Sequence, residues 1–350
     1  MRSLLQFSLL VALTLQLNFA VAQNNSTETA QLETIAWSPD GTRIAGSYGD
    51  ARVSVWGVDN LSNPILSFQT ELADKITWTP DSHYLIAQGN HSDENGHLQS
   101  SVTKWDADTG EFVDTLFAFE LDTTFEFNPY GYYIVPTLAL DSTTTKAAFS
   151  FRNVTVYLSD GTQVLHPNNQ AATHNVYRME WSPDGERLAI VNGATDIYTI
   201  EVFDIASGDV IQVIVPSFQY YITDLGWDTT GNYLAASSMQ FTCCESWSNI
   251  GVYHVQDAEA LYSYDAADRW WGNIARYDAP VAWHPTDFLL AIANVNTVEI
   301  YDPNVENALF TIAVDEARDI EWSPDGTQIA SVSSNGVLEL WDVPFFNSNH

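Results

Sequence analysis

A chain of 350 residues with 45 acidic against 12 basic side chains carries a formal net charge of −33. Such a charge repels phosphate backbones and anionic lipid surfaces, which argues against nucleic acid or a membrane surface as partner. Disorder is excluded as well, because 45% hydrophobic and 13% aromatic residues exceed what a solvated polyanion holds. The acid reads as a charged coat on a folded domain.

The first 22 residues are set apart. Arg2 gives a positive start, an apolar run follows from Leu4 to Leu17, and Ala20 to Ala22 supplies the small residues that a signal peptidase requires. Gln6, Ser8, Thr14, Gln16 and Asn18 interrupt the run, and no basic stop-transfer residues follow it. A signal peptide over residues 1–22 is expected, cleaved after Ala22, with no membrane insertion afterwards. The mature chain, 23–350, is expected to be secreted or periplasmic.

Beyond residue 30 one pattern recurs: an apolar strand ending in an aromatic residue, a Pro-Asp-Gly-like reversal, then a second apolar strand. The first copy is IAWSPDGTRIAGS, Ile35 to Ser47, and the last is IEWSPDGTQIASVS, Ile320 to Ser333. The anchors are Trp37, Trp78, Phe127, Trp181, Trp227, Trp283 and Trp322, spaced 41, 49, 54, 46, 56 and 39 residues apart. Pro at the second turn position and Gly at the fourth suit a type I turn. After each copy comes a short alternating strand closing in an aromatic residue, at Trp56, Trp105, Tyr157, Phe203, Tyr253, Tyr301 and Trp341. A fourth strand follows in most repeats, as in Pro64 to Gln69, Glu111 to Phe117 and Ala308 to Ala313. Four short strands per repeat, without helical periodicity, predict one propeller blade each.

With these residues the chain resembles the WD-repeat β-propellers over residues 33–342. Trp105–Asp106 and Trp341–Asp342 keep the full Trp-Asp dipeptide, while the Gly-His pair found in many members is missing. The periplasmic propeller of the bacterial Tol system, which shares the SPDG turn, is the second match. The expected fold is all-β: a seven-bladed propeller of four-stranded antiparallel blades. The strand count leaves the seventh blade incomplete, because the chain stops where its outer strand should begin.

A meander places the SPDG turns at one end of the blades and gathers the long connections at the other. Length varies at that second end, in Gln88 to Ser101, Leu165 to Val176, Gln240 to Asn249 and Asp265 to Ala279. Insertions on one face of a repeat protein mark a binding surface. The candidate binding residues there are Trp270 and Trp271 between Arg269 and Arg276, with Tyr220 and Tyr221 one crossing earlier. Exposed aromatics beside Arg fit an interface hot spot or a sugar-stacking platform. The plainer alternative is loop packing. The two cysteines, Cys243 and Cys244, are adjacent, and either a strained vicinal disulfide or two free thiols is compatible with the sequence.

No histidine spacing suits a metal, and neither a Gly-x-Ser-x-Gly elbow nor a glycine-rich phosphate loop is present. No catalytic residue, metal or cofactor is therefore expected. The resemblance implies a non-enzymatic platform for a protein partner, acting through the loop-rich face. The alternative is a carbohydrate-binding or hydrolase/lyase-type propeller using the central funnel. Central carboxylates with histidines would favour the enzyme.

Overall fold

The computed structural model describes residues 30–344 except 72, 93–97, 122–136, 151–155, 159–163, 166–174, 195–196, 217–220, 242–245, 271–278, 295 and 306. The leader expected over residues 1–22 lies outside them.

The described residues form antiparallel sheets in chain order. The first sheet holds β1 (Leu32–Trp37), β2 (Arg43–Tyr48), β3 (Arg52–Gly57) and β4 (Leu66–Gln69). The second holds β5 (Lys75–Trp78), β6 (Tyr84–Ser92), β7 (Leu98–Asp106) and β8 (Phe112–Leu121). In the third are β9 (Thr137–Leu140), β10 (Ala147–Ser150), β11 (Val156–Leu158) and β12 (Val164–Leu165). The fourth comprises β13 (Asn175–Trp181), β14 (Arg187–Ala194), β15 (Ile197–Asp204) and β16 (Val210–Ile214). The fifth comprises β17 (Tyr221–Trp227), β18 (Tyr233–Phe241), β19 (Ser246–His254) and β20 (Ala260–Trp270). β21 (Val281–Trp283), β22 (Leu290–Ala293), β23 (Thr297–Tyr301) and β24 (Phe310–Ala313) make the sixth. The last sheet has three strands among the described residues: β25 (Ala317–Trp322), β26 (Gln328–Ser333) and β27 (Leu338–Asp342). Six sheets thus have the expected four strands, and the last has three.

The SPDG turns follow from side-chain chemistry. Ser38 Oγ donates to Asp40 Oδ1 at 2.6 Å, and Asp40 Oδ1 accepts the Thr42 amide at 2.9 Å. Gly41 closes the turn at φ +71°, a left-handed conformation that costs glycine little. Ser182 with Asp184 and Ser323 with Asp325 repeat the arrangement. Two turns exchange the roles. In Asp228-x-Thr230 the acid comes first and the hydroxyl two residues later, and Asp228 Oδ1 accepts the Asn232 and Tyr233 amides at 2.8 and 2.7 Å.

Asp141-x-Thr143 does the same, with Asp141 Oδ1 accepting the Thr145 and Lys146 amides at 2.9 and 2.7 Å. This turn joins β9 to β10, so the anchor position of the third sheet is Leu140. Phe127, the anchor expected from the sequence, lies outside the described residues. The Asp of the Trp-Asp strand ending acts locally, since Asp106 Oδ1 accepts the Asp108 and Thr109 amides at 3.0 and 2.8 Å and tightens the next turn.

The core lies between the sheets. Trp78 packs with Val55 and Leu85 between the first and second, and Trp181 with Ala148 and Phe203 between the third and fourth. Trp37 and Ile44 meet Ala330 and Val332 of the last sheet. Five anchor indoles also donate to the backbone of the preceding sheet. Trp78 bonds Ala36 O at 2.9 Å, Trp181 bonds Ala139 O at 3.2 Å, and Trp227 bonds Glu180 O at 3.1 Å. Trp283 and Trp322 bond Gly226 O and Ala282 O at 3.1 and 3.0 Å. Each acceptor is the residue just before an anchor, so these bonds fix the height of one sheet against the next.

At the turn end a second latch recurs. The Arg43 guanidinium lies 4.7 Å from the Trp78 ring centre and donates to Ser82 O at 2.6 Å. Lys146 approaches the Trp181 ring at 5.9 Å and donates to Gly185 O at 2.9 Å, while Arg187 lies 5.1 Å from the Trp227 ring. Between the sixth and last sheets His284 substitutes, edge-on to Trp322 with 4.6 Å between ring centres and Nε2 3.1 Å from Gly326 O. A side chain at Gly326 would put its Cβ 2.1 Å from that Nε2, whereas at Gly41 the nearest atom would be 3.9 Å away. Both glycines have positive φ. Gly41→Ala should therefore cost about 1 kcal/mol of backbone strain, and Gly326→Ala distinctly more. Urea midpoints of the two variants check this, and equal losses would contradict the His284 latch.

Candidate functional site

Two regions stand out: the end opposite the SPDG turns and the middle of the ring of inner strands. At the first, paired strands run well beyond the common sheet length. β6 and β7 stay in register out to Ser92 and Leu98, and β18 and β19 out to Phe241 and Ser246. β20 follows them, its last residue Trp270 opposite Ser246. Tyr221 opens β17 of the same sheet, opposite Met239. The backbone of Arg269, Trp270 and Tyr221 is therefore gathered at one end of the fifth sheet. Trp271, Arg276, Tyr220, Cys243 and Cys244 lie outside the described residues.

The second region was not singled out from the sequence. Aligned on the anchors, Lys75, Arg178, Asp224 and Asp319 all stand three residues before their anchor, and Glu180 and Glu321 one residue before. Period-two alternation puts these positions on one face of each inner strand. The Asp224 and Asp319 side chains reach the free edge of the following sheet. Asp224 Oδ2 accepts the Val281 amide at 3.0 Å, and Asp319 Oδ2 accepts the Ile35 amide at 2.9 Å. Glu321 Oε2 accepts the Trp37 amide at 2.6 Å. Arg178 lies 3.7 Å from Asp224, and Lys75 of the second sheet reaches Glu180 of the fourth at 4.0 Å.

Four acids share two cations here, and burial governs the protonation of Asp319, Glu321 and Glu180. It pushes Asp319 up to about 7, against the pull of the Ile35 amide, and Glu321 up to about 8, against that of Trp37. Glu180 is raised by burial too, with Lys75 pulling the other way. Chemically the cluster offers partly protonated carboxyls near neutrality, but each described contact serves a neighbouring strand or an opposite charge. Among the described residues no group of three or more His, Cys, Asp or Glu could hold a metal ion.

Comparison with known proteins agrees with this architecture. The WD domain, G-beta repeat family matches residues 313–342, and the family described as Eukaryotic translation initiation factor eIF2A matches residues 15–151. Anaphase-promoting complex subunit cdc20 of Dictyostelium discoideum is 28% identical over 127 residues, which are 35% of this chain and 22% of that protein. The chain thus matches about a fifth of that relative's length. Among solved structures, Kuenenia stuttgartiensis Hydrazine Synthase superimposes with a TM-score of 0.65 at 14% identity, covering 92% of this chain and 98% of the other. At that identity the likeness is one of fold alone. The fold and site define an all-β propeller of antiparallel blades. The repeat match in the last sheet and the likeness to cdc20 support a WD-repeat propeller.

Proposed function

We propose that this protein is an exported, non-enzymatic platform that binds a protein partner through the end opposite its SPDG turns. In this reading the three-stranded sheet is the seventh blade of a closed ring. The observation that carries the proposal is the unequal growth of the sheets. β18, β19 and β20 have 9, 9 and 11 residues, against 4, 5 and 4 for β22, β23 and β24 of the next sheet. A core needs no such extension, whereas a projecting hairpin offers contact area on a rigid base. WD-repeat propellers generally bind proteins, which supports the choice of partner class.

The funnel reading, a hydrolase or lyase, is disfavoured by the inner acids. Asp224, Asp319 and Glu321 are engaged by backbone amides of the next sheet, and Glu180 by Lys75. A glycan on the aromatic rim is the second reading. Replacing Trp270 and Trp271 by Ala should abolish capture of a partner from the secreted fraction while moving the melting temperature by less than about 2 °C. A sharp drop in melting would assign both rings to packing, and loss of glycan-array signal instead of protein capture would favour the second reading. Intact mass of secreted material should begin at Gln23, and residues 1–22 retained in a membrane fraction would overturn export.

A further inference from the structure

The joint between the first and last sheets lacks both devices that recur elsewhere. Trp37 Nε1 is buried with no hydrogen-bond partner among the described residues, although five other anchor indoles donate across their joints. Gln328 stands where Arg43, Lys146 and Arg187 supply a cation, and its amide turns back to Asp342 Oδ1 at 2.8 Å. In their place are the two bonds from Ile35 N to Asp319 and from Trp37 N to Glu321. Two acids, two residues apart on β25, thus tie the polar edge of this joint.

We infer that this joint is a pH-sensitive seam, held closed while Asp319 and Glu321 carry protons and opened more readily as both ionise. The surroundings set the sense. Lys75 is the cation that acts on both acids, and it also faces Glu180. Asp224 repels Asp319, and Asp319 repels Glu321, while Arg178 is turned to Asp224. On β1, Glu33 lies against Gly49, away from this pair. β26 contributes no titratable group, and His284 of the sixth sheet packs on Trp322 and bonds Gly326 O. In β25, Arg318 lies at the register shift between Ala317 and Asp319 and is exposed.

When the seam opens, water solvates both carboxylates and their affinity for protons returns to the ordinary range near pH ~4. The closed form therefore holds more protons than the open form from about pH 4 up to the values near 7 and 8. Closure is favoured by acid across that window, weakens as pH rises through it, and is insensitive above it.

Native-state hydrogen exchange on the full mature chain tests this. The opening equilibrium of peptides spanning 32–37 and 317–322, corrected for intrinsic exchange, should rise at least about tenfold from pH 5.5 to pH 8.5, since one proton of linkage gives a tenfold change per pH unit. Peptides of β14 and β15 should change much less. Asp319→Asn with Glu321→Gln keeps a carbonyl acceptor for both amides and should abolish the pH dependence at the seam. An equal rise in all sheets, or a rise that persists in the double variant, overturns the seam. If the double variant does not fold, the contrast within the wild-type chain and the two single variants decide it.

Discussion

Replacing Trp181 by alanine should cost about 3–5 kcal/mol, among the largest losses of any single site in the chain. The ring is 5% exposed and packs between two sheets against Ala139, Ala148, Met179, Leu188, Ile190 and Phe203. Alanine leaves a cavity the size of an indole where small neighbours such as Ala139 and Ala148 have little side chain to move. It also strands Ala139 O, which accepts the indole proton. Urea unfolding of the purified protein measures the loss, and a change below about 1 kcal/mol would mean that the joints between sheets are not where stability resides. Trp→Phe substitutions refine the point. Trp37→Phe should cost less than Trp181→Phe, because the Trp37 indole has no bond to lose.

The second large effect concerns the exchanged turn. Asp228→Ala removes the acceptor of the Thr230, Asn232 and Tyr233 amides at a buried position, and should cost about 2–4 kcal/mol. Asp228→Ser alone should recover part of it, since a serine at this place bonds the fifth residue on, as Ser38 does Arg43. Adding Thr230→Asp rebuilds the Ser-x-Asp order of the turns at Ser182 and Ser323. The double variant should come within about 1 kcal/mol of the parent, a favourable coupling that double-mutant cycles resolve. If Thr230→Asp is equally harmful in both backgrounds, the two orders are not equivalent and the comparison of turns fails.

That equivalence also explains what could be read in the chain. Trp37, Trp181 and Trp322 announced buried strand ends because an aromatic before a Ser-Pro-Asp-Gly turn leaves few other readings, Trp78 and Trp227 did so before variants of that turn, and all five are buried. Asp228-Thr-Thr-Gly was recognised through its glycine. Asp141-Ser-Thr-Thr has neither Pro nor Gly, and its strand ends in Leu140, so the visible candidate was Phe127. Thr144 takes the glycine place at φ 58°, which sequence does not disclose.

The inner charges were legible in principle. Lys75, Arg178, Asp224 and Asp319 share one position relative to their anchors, but a charged residue in an alternating strand reads as solvent-facing. Only closure of the sheets around a common centre brings them within reach of one another. The raised proton affinity of Asp319 follows from that enclosure, so composition could not give it. At the loop-rich end, β20 runs on to Trp270, whereas the sequence pattern assigns Asp265 to Ala279 to a crossing between blades, because an unrepeated segment offers no copy to align.

The Lys75–Glu180 pair joins the second sheet to the fourth and passes over the third. At 4.0 Å, with its lysine exposed and its glutamate only partly buried, the pair adds little energy. In placement, however, it is a spoke: it is a contact across the hub between two sheets that are not neighbours in the chain. The sheet it spans is the third, whose Leu140 cannot make the indole bond to its predecessor. The interval from Trp78 to Leu140, 62 residues against 41 from Leu140 to Trp181, shows where the chain has grown. The longest interval between anchors thus falls in the segment of the rim that this pair spans.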